Sequence, residues 1–191
     1  MEKITDDEQL VKKILEGNES SLRVLIEKYM RPIYNFVYQY VSDAQEAEDI
    51  TQDVFIRVWQ KIKTYDTAKS FKTWIFAIAK NATFDYLRKK KPATFSSLKN
   101  ENDDNNPIDR FADDSPFPDE IMRRTDIAKI LNNAVNKLPA PYRVTIFLYY
   151  HDGFNFREIA ETLGESIDTV KSRHRRTLAM LKKALANEQL S

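Results

Sequence analysis

The sequence predicts an all-α protein built as two small helical domains joined by a flexible acidic linker, with a helix-turn-helix in the second domain. Three observations lead to this fold class. Apolar residues recur every three or four positions in residues 1–91 and again in 120–191, which is the period of amphipathic helices. Residues 92–119 between them are acidic and rich in proline and asparagine, so they bury too little apolar surface to offset the entropy cost of ordering. Finally, Gly164 separates two helical patterns near the end of the chain, as in a helix-turn-helix.

The first domain is expected to be helical throughout. Two capping-box spacings mark helix starts, Thr5 followed by Glu8 and Ser42 followed by Gln45. Each helix then offers one apolar stripe to a shared core. The stripes are Leu22, Leu25, Ile26, Tyr29, Ile33, Phe36, Val37 and Tyr40, and then Ile50, Val54, Val58 and Ile62. Pro92 is expected to end the last helix, because proline lacks the backbone donor and disfavours helical geometry in its predecessor.

The composition argues against several classes of function. The longest apolar runs, residues 74–79 and 144–150, are far shorter than the roughly 20 residues of a membrane span. The acidic amino terminus lacks a secretory signal, so we expect a cytoplasmic protein without membrane insertion. The chain has no cysteine, two histidines and three glycines, too few for a thiolate or histidine metal site or a phosphate-binding loop. We therefore predict no catalytic residue, no metal and no cofactor, and we do not expect an enzyme.

The charge is divided along the chain. Residues 1–91 contain 16 basic and 14 acidic side chains, residues 92–119 contain 2 and 7, and residues 120–191 contain 12 and 8. Two basic bodies therefore flank an acidic strip.

The second domain is predicted to contain a complete helix-turn-helix. Its helical period starts after Asp119 and breaks at residues 138–141, Leu-Pro-Ala-Pro. Asn155 with Glu158 has the spacing of a capping box, Gly164 permits the turn, and Ser166 caps the next helix. The predicted seam between the two helices consists of Ile159, Ala160, Leu163, Val170 and Leu178.

The outer face of the last helix carries basic and hydroxyl side chains, which are Ser166, Thr169, Lys171, Ser172, Arg175 and Arg176. In helix-turn-helix proteins this helix enters the major groove, where arginine and lysine pair with guanine edges and other polar groups hold phosphates. These six residues are our predicted duplex DNA contacts. The alternative is that they form only the solvated face of an ordinary helical hairpin.

An acidic helix in the first domain contains Asp49, Gln52, Asp53 and Phe55, with Glu46, Glu48 and Trp59 nearby. Clustered carboxylates can hold a cation, but such a site needs oxygen ligands that converge from several directions, and no glycine-bearing loop is available to supply them. We interpret the cluster as an acidic surface for a basic protein partner.

Aromatic and basic residues alternate over residues 65–91. Bases of an unpaired strand can stack on aromatic rings while cations follow the backbone. The candidate single-strand contacts are Tyr65, Phe71, Lys72, Trp74, Lys80, Asn81 and Arg88. On a helix that begins near Ser70, the spacing turns Ile75, Ile78, Ala79, Ala82 and Tyr86 toward the core. Trp74 is ambiguous between packing and strand contact.

Together these segments resemble the extracytoplasmic function (ECF) group of the sigma-70 family of RNA polymerase sigma factors. The resemblance is carried by residues 48–59, 71–81 with 85–88, 138–143, 158–160 and 169–173. It implies a region 2-like domain at 1–91, a linker at 92–119 and a region 4-like domain at 120–191.

The resemblance also implies partners. Asp49, Gln52, Asp53 and Phe55 would dock on the clamp helices of the largest subunit of core RNA polymerase. Residues 65–88 would capture the unwound minus-ten element, and residues 169–176 would read the minus-thirty-five element of promoter DNA. The linker would thread toward the polymerase active-site channel, and an anti-sigma protein would hold the chain inactive.

Two positions depart from the family pattern. Glu165 stands where an apolar residue usually follows the turn glycine, and Asp168 stands where a small residue is usual. Both place negative charge near the start of the recognition helix, which helix dipoles favour but DNA phosphates do not. The preferred promoter sequence therefore stays open.

Two other functions remain as alternatives at this point. An ordinary regulator could bind duplex DNA through the same helix-turn-helix, usually as a dimer, but this leaves the first domain unexplained. A nuclease is less favoured because no ligand or nucleophile set can be assembled.

Overall fold

The computed structural model describes residues 6–67, 69–90 and 130–188, with side chains as far as residue 185. The first domain contains α1 (Asp6–Leu15), α2 (Glu19–Val41), α3 (Ala44–Lys61), a 3₁₀ turn (Ile62–Thr64) and α4 (Phe71–Lys90). The second contains α5 (residues 130–136 of it described), α6 (Ala140–Ile146), a π-helical turn (Phe147–His151), α7 (Phe156–Leu163) and α8 (Ile167–Glu188). The described residues contain no strand, and the predicted all-α fold class is confirmed.

The boundary between α2 and α3 differs from the prediction by one residue. Ser42 ends α2 in the left-handed conformation, with φ 55° and its N–H on the Tyr38 carbonyl. A residue in that conformation cannot also adopt the extended geometry of an N-cap. Asp43 therefore caps α3, accepting a hydrogen bond from the Glu46 N–H at 2.9 Å. The predicted cap at Thr5 and the stop at Pro92 lie outside the described residues.

The core of the first domain is built by the predicted apolar stripes. Phe36, Ile33 and Val37 of α2 are fully buried, as are Val54 of α3 and Ile75 of α4. An edge-to-face aromatic contact joins α2 and α4, with the Phe36 and Phe76 ring centroids 5.2 Å apart. Burying large apolar side chains in this way supplies about 1.5–3 kcal/mol for each one, so α3 and α4 are held as rigid supports for their outer surfaces.

The helix-turn-helix forms as predicted at its caps and turn. Asn155 and Glu158 make a reciprocal capping box, Gly164 adopts φ 66°, and the Ser166 hydroxyl accepts from the Thr169 N–H at 3.1 Å. The predicted seam is buried at Ile159, Ala160, Leu163 and Val170.

The assignment of Leu178 to that seam is wrong. Leu178 is 42% exposed, and Thr177 is fully buried in its place. Thr177 lies seven residues, or about two turns, after Val170, so it falls on the same side of the helix. Leu178 is rotated by about 100° from that line and points outward.

The two domains pack against each other through α4 with α7 and α2 with α6. Phe76 of α4 meets Phe154 of the second domain with ring centroids 4.9 Å apart. One continuous cluster of buried side chains runs from α1 to α8. The sequence analysis did not predict this contact, and it decides which candidate residues are accessible.

Candidate nucleic-acid interface

The recognition helix α8 presents the predicted duplex contacts together. Ser166, Thr169, Lys171, Arg175 and Arg176 are exposed, and Ser172 is half-buried. Their spacings of three and four residues place them in adjacent rows on one side of the helix. The Ser166 hydroxyl also lies 2.8 Å from the Thr169 hydroxyl, so the cap and the first turn form one polar unit.

An open polar cleft of about 350 Å³ lies beside the start of α8. It is lined by Tyr142, Asp168, Thr169, Ser172, Arg173 and Arg176. Thr169 and Ser172 therefore share one concave surface with Arg176, and their hydroxyl and guanidinium donors suit a phosphate group of the DNA backbone.

His174 of α8 is surrounded by rings, a feature that the sequence analysis missed. Its ring centroid lies 4.9 Å from that of Tyr149, 5.7 Å from Tyr150 and 5.1 Å from Phe156. Burial lowers the pKa of His174 from its usual value, so the imidazole is neutral near pH 7. It packs α8 against α7 and contributes no charge to the basic face.

The aromatic rings predicted to contact a single strand are largely internal in this structure. Tyr65 is 6% and Phe71 2% exposed. Trp74 is half-buried, with its ring centroid 5.0 Å from Tyr65 and 5.4 Å from Phe71. Burial is also the main reason that the pKa of Tyr65 is raised to about 12. Stacking of a base on Tyr65 or Phe71 stays a prediction that requires this cluster to open.

In contrast to these buried rings, two of the polar residues predicted to contact a single strand lie on the surface. Asn81 and Arg88 are exposed on α4, and Arg88 pairs with Asp85 at 2.9 Å. The predicted inward residues Ile75, Ile78, Ala79 and Ala82 are buried, and Tyr86 is half-buried against the same core. The helix therefore presents Asn81 on the side opposite its packed face.

Lys72 and Lys80, which we predicted to contact the backbone of an unpaired DNA strand, face the second domain. The Lys72 ammonium donates to the Asp152 carbonyl and lies 4.1 Å from the centroid of the Phe154 ring. Lys80 reaches the turn of the helix-turn-helix, where a Cβ placed on Gly164 would be 3.7 Å from its Nζ. The second domain therefore lies over part of the surface of α4 that we assigned to nucleic acid.

The domains are also joined by the buried side chain of Arg143, in the 138–143 motif. Its guanidinium donates to the Gln39 carbonyl of α2 at 3.1 and 2.5 Å, to the Asn136 carbonyl at 3.0 Å and to the Leu138 carbonyl at 3.4 Å. Its Nη2 also lies 3.4 Å from the Ser42 hydroxyl. Burial lowers the pKa of Arg143 from its usual value, but guanidinium remains protonated in proteins. The cation therefore sits at the negative carboxyl end of α2.

The acidic helix α3 exposes a mixed polar and apolar strip. Asp49 and Gln52 are exposed, and Asp53 is paired with Arg57 at 2.8 Å. Phe55 is only 9% exposed and belongs to the core, so its ring is not offered to a partner in this structure. Ile56 and Trp59 are 56% and 54% exposed beside Gln52.

The spacing of this strip could have identified its apolar members from the sequence. Residues 49, 52, 56 and 59 follow intervals of three and four and share one side of the helix. Val54 and Val58 lie on the other side and are buried, and Phe55 lies at the edge of the strip with its ring turned into the core. Ile56 was not predicted as part of this surface, because its acidic neighbours give this stretch of the sequence a polar character.

Among the described residues, no group of histidine, aspartate and glutamate side chains could hold a metal ion. None of the described helices combines the length and the apolar composition needed to cross a bilayer.

Comparison with known proteins matches both domains. The family model Sigma-70 region 2 matches residues 25–92, and the model Sigma-70, region 4 matches residues 128–181. The ECF RNA polymerase sigma factor SigW of Bacillus subtilis is 30% identical over 92% of this chain and 94% of its own length. The RNA polymerase sigma-H factor of Pseudomonas aeruginosa is 28% identical over 94% and 93% of the two chains.

Solved structures show the same fold. CnrH in complex with the cytosolic domain of CnrY superposes with a TM-score of 0.66 and 21% identity, over 96% of this chain and 99% of that chain. The sigma factor RpoE in complex with the anti-sigma factor NepR from Bartonella quintana gives a TM-score of 0.66 and 22% identity, over 86% and 96%.

Proposed function

This chain belongs to the ECF group of the sigma-70 family of RNA polymerase sigma factors, and from that premise we propose how its two helical domains divide promoter recognition between them. As a sigma factor it directs core RNA polymerase to promoters and supports DNA melting and initiation. We assign the first domain to residues 1–91, the linker to 92–119 and the second domain to 120–191.

The observation that carries the proposal is the exposed basic and hydroxyl face of α8 behind a fully capped turn. In our proposal Ser166, Thr169, Lys171, Ser172, Arg175 and Arg176 contact the duplex minus-thirty-five element. Arginine and lysine on such a helix discriminate base pairs by about 1–3 kcal/mol for each good bidentate contact. The polar cleft beside the helix then receives a phosphate.

The single-strand role is assigned to α4. Asn81 and Arg88 are exposed now, and Lys72 and Lys80 would become available once the second domain moves away. Tyr65, Phe71 and Trp74 would act as stacking rings only if their cluster opens. We therefore propose that the domains separate before the minus-ten strand is captured.

Neither part of this proposal gives the protein a reaction of its own. We propose that it is not an enzyme and that it works in the cytoplasm, where polymerase and promoter DNA are found. One of the similar solved structures is a sigma factor bound to an anti-sigma factor, which supports an anti-sigma protein as a further partner of this chain.

Run-off transcription tests the function directly. Core RNA polymerase should start at defined sites only when this chain is added, on genomic fragments selected by the reconstituted holoenzyme. A chain that binds one duplex site as a dimer and gives no core-dependent initiation would instead identify an ordinary regulator.

The docking surface for core polymerase is proposed to be the α3 strip of Asp49, Gln52, Asp53, Ile56 and Trp59. Phe55 supports this surface from beneath. A basic partner would pair with the carboxylates while the indole and the isoleucine bury apolar area, and large aromatic side chains commonly dominate such interfaces.

The double variant Gln52→Ala/Trp59→Ala should bind core polymerase more weakly by about 2 kcal/mol or more, or roughly thirtyfold. Fluorescence anisotropy of the labelled chain titrated with core measures this. Val24→Ala is the control, because Val24 is a 49% exposed apolar residue of α2 that is not part of the strip. Equal affinity of the double variant and the control would exclude α3 as the docking surface.

A further inference from the structure

Glu165, one of the two unusual acidic residues near the recognition helix, is engaged by an arginine of that helix. Its Oε2 lies 2.8 Å from Arg173 Nη1, and Arg173 Nη2 donates to its Oε1 at 3.0 Å. The Arg173 side chain is 16% exposed and that of Glu165 30%. The guanidinium therefore makes one hydrogen bond and one further ion-pair contact to the carboxylate, and the charge on both groups strengthens that hydrogen bond.

The pair also connects the turn between α7 and α8 to the second turn of α8. The Glu165 N–H donates to the Ala160 carbonyl at 2.9 Å, which closes the end of α7. Its side chain then reaches eight residues along the chain to Arg173, on the second turn of α8. Both residues belong to the second domain, and they lie near Tyr40 of the first domain. Burial raises the pKa of Tyr40, and the Glu165 charge adds to this rise while the Arg173 charge opposes it.

Arg173 would be a DNA contact if Glu165 did not hold it. It lines the same cleft as Thr169, Ser172 and Arg176, and these three are proposed contacts. A guanidinium released into this cleft can bind any backbone phosphate, and such contacts raise affinity for every sequence alike. A contact of this kind strengthens DNA binding but does not help the protein to distinguish one DNA sequence from another.

We propose that Glu165 is a positioning residue, which holds Arg173 away from the DNA backbone and so limits the sequence-independent part of duplex binding by α8. This inference rests on the proposed function of α8 as the reader of the upstream promoter element. It explains why an acidic residue is compatible with a DNA-binding turn, because the charge of Glu165 is neutralised within the protein.

The test compares four holoenzymes, made with the parent chain, Glu165→Gln, Arg173→Gln and the double variant. Each is titrated onto a promoter duplex selected by the parent and onto the same duplex with the upstream element shuffled, over a range of salt concentrations. Glu165→Gln should bind the shuffled duplex about threefold or more tightly at low salt, and its log–log salt dependence should steepen by about 0.9, the value of one added phosphate contact. The ratio of specific to shuffled affinity should stay close to the parent's, because one added phosphate contact strengthens binding to both duplexes alike.

The arginine variants supply the controls. Arg173→Gln should keep the parent's salt dependence, and the double variant should match Arg173→Gln. An unchanged salt slope in Glu165→Gln would overturn the proposal, because a purely structural role moves stability and not the number of phosphates bound. A reduced slope in Arg173→Gln would also overturn it, since Arg173 would then already contact DNA in the parent. If the parent itself failed to prefer the selected duplex, the assignment of α8 would fall first, and with it this inference.

Discussion

Replacing Asn81 with alanine should give a holoenzyme that assembles and finds its promoter but opens a closed duplex poorly. Asn81 is exposed on α4, and its amide can hydrogen-bond the edge of an unpaired base. Loss of an interaction worth about 1–3 kcal/mol that is made only in the open complex corresponds to about a 5–150-fold loss of open complex.

The physical requirement is differential binding. DNA melts only if some protein surface holds the unpaired strand better than the duplex, because a ligand with equal affinity for both states shifts nothing. An amide that contacts only an unpaired base edge satisfies this condition. Lys72 and Lys80 can add backbone attraction once the second domain has moved, but phosphates are present in duplex and single strand alike.

Permanganate footprinting of unpaired thymines on a duplex promoter and on a promoter with a pre-melted bubble measures the effect. The Asn81→Ala holoenzyme should fail on the duplex and recover at least partly on the bubble. Asn132→Ala is the matched control, because Asn132 is an exposed asparagine in the second domain. If Asn81→Ala opens the duplex as well as the control does, α4 does not hold the strand through this side chain.

Phe71 is a poor probe of the same step. It is 2% exposed, and its ring centroid lies 5.6 Å from that of Tyr29 and 5.5 Å from that of Tyr65. Truncating a buried phenylalanine typically costs about 3–5 kcal/mol of stability. A loss of opening in Phe71→Ala would therefore not separate a stacking role from unfolding.

Arg143→Met should lower the free energy of unfolding by about 3 kcal/mol or more, since each buried carbonyl that loses its donor costs about 1–3 kcal/mol. The carbonyls concerned belong to Gln39, Asn136 and Leu138. Methionine keeps a similar length and packs in an apolar site, so the change removes mainly the donors and the charge. Because Gln39 belongs to α2, the variant should also loosen the contact between the domains.

Urea unfolding followed by tryptophan fluorescence gives the stability, and the radius of gyration from small-angle X-ray scattering shows whether the domains separate. Arg157→Met is the control, because Arg157 is an exposed arginine of α7 in the same domain. An unchanged urea midpoint together with an unchanged radius would show that the Arg143 contacts do not hold the domains together.

Much of the fold could be predicted from sequence patterns that span only a few neighbouring residues. The capping box of Asn155 and Glu158, the turn at Gly164 and the cap at Ser166 were all predicted correctly. Each depends on hydrogen bonds or backbone conformation within one turn, so a pattern of a few residues is enough to predict it. The apolar stripes of α2, α3 and α4 were also predictable, because period alone decides which side of a helix faces the core.

Accessibility could not be read from the sequence in the same way. An aromatic residue beside lysines can stack on a base or fill a core, and Phe71 and Phe55 are in the core. Ser42 could cap α3 or end α2, and the left-handed backbone at the end of α2 decided between them. Leu178 directly follows Thr177 in the chain, but one residue rotates the side chain by about 100° around the helix axis. Thr177 is therefore buried while Leu178 is exposed.

The helices, the helix-turn-helix, the charge division and the family could all be predicted from the order of the amino acids. Three contacts could not be predicted: the second domain over Lys72 and Lys80, Arg143 at the Gln39 carbonyl, and Glu165 paired with Arg173. The physical reason is that these contacts join groups far apart in the chain or on different turns of the fold. Their geometry depends on how whole helices pack, which composition and spacing do not specify.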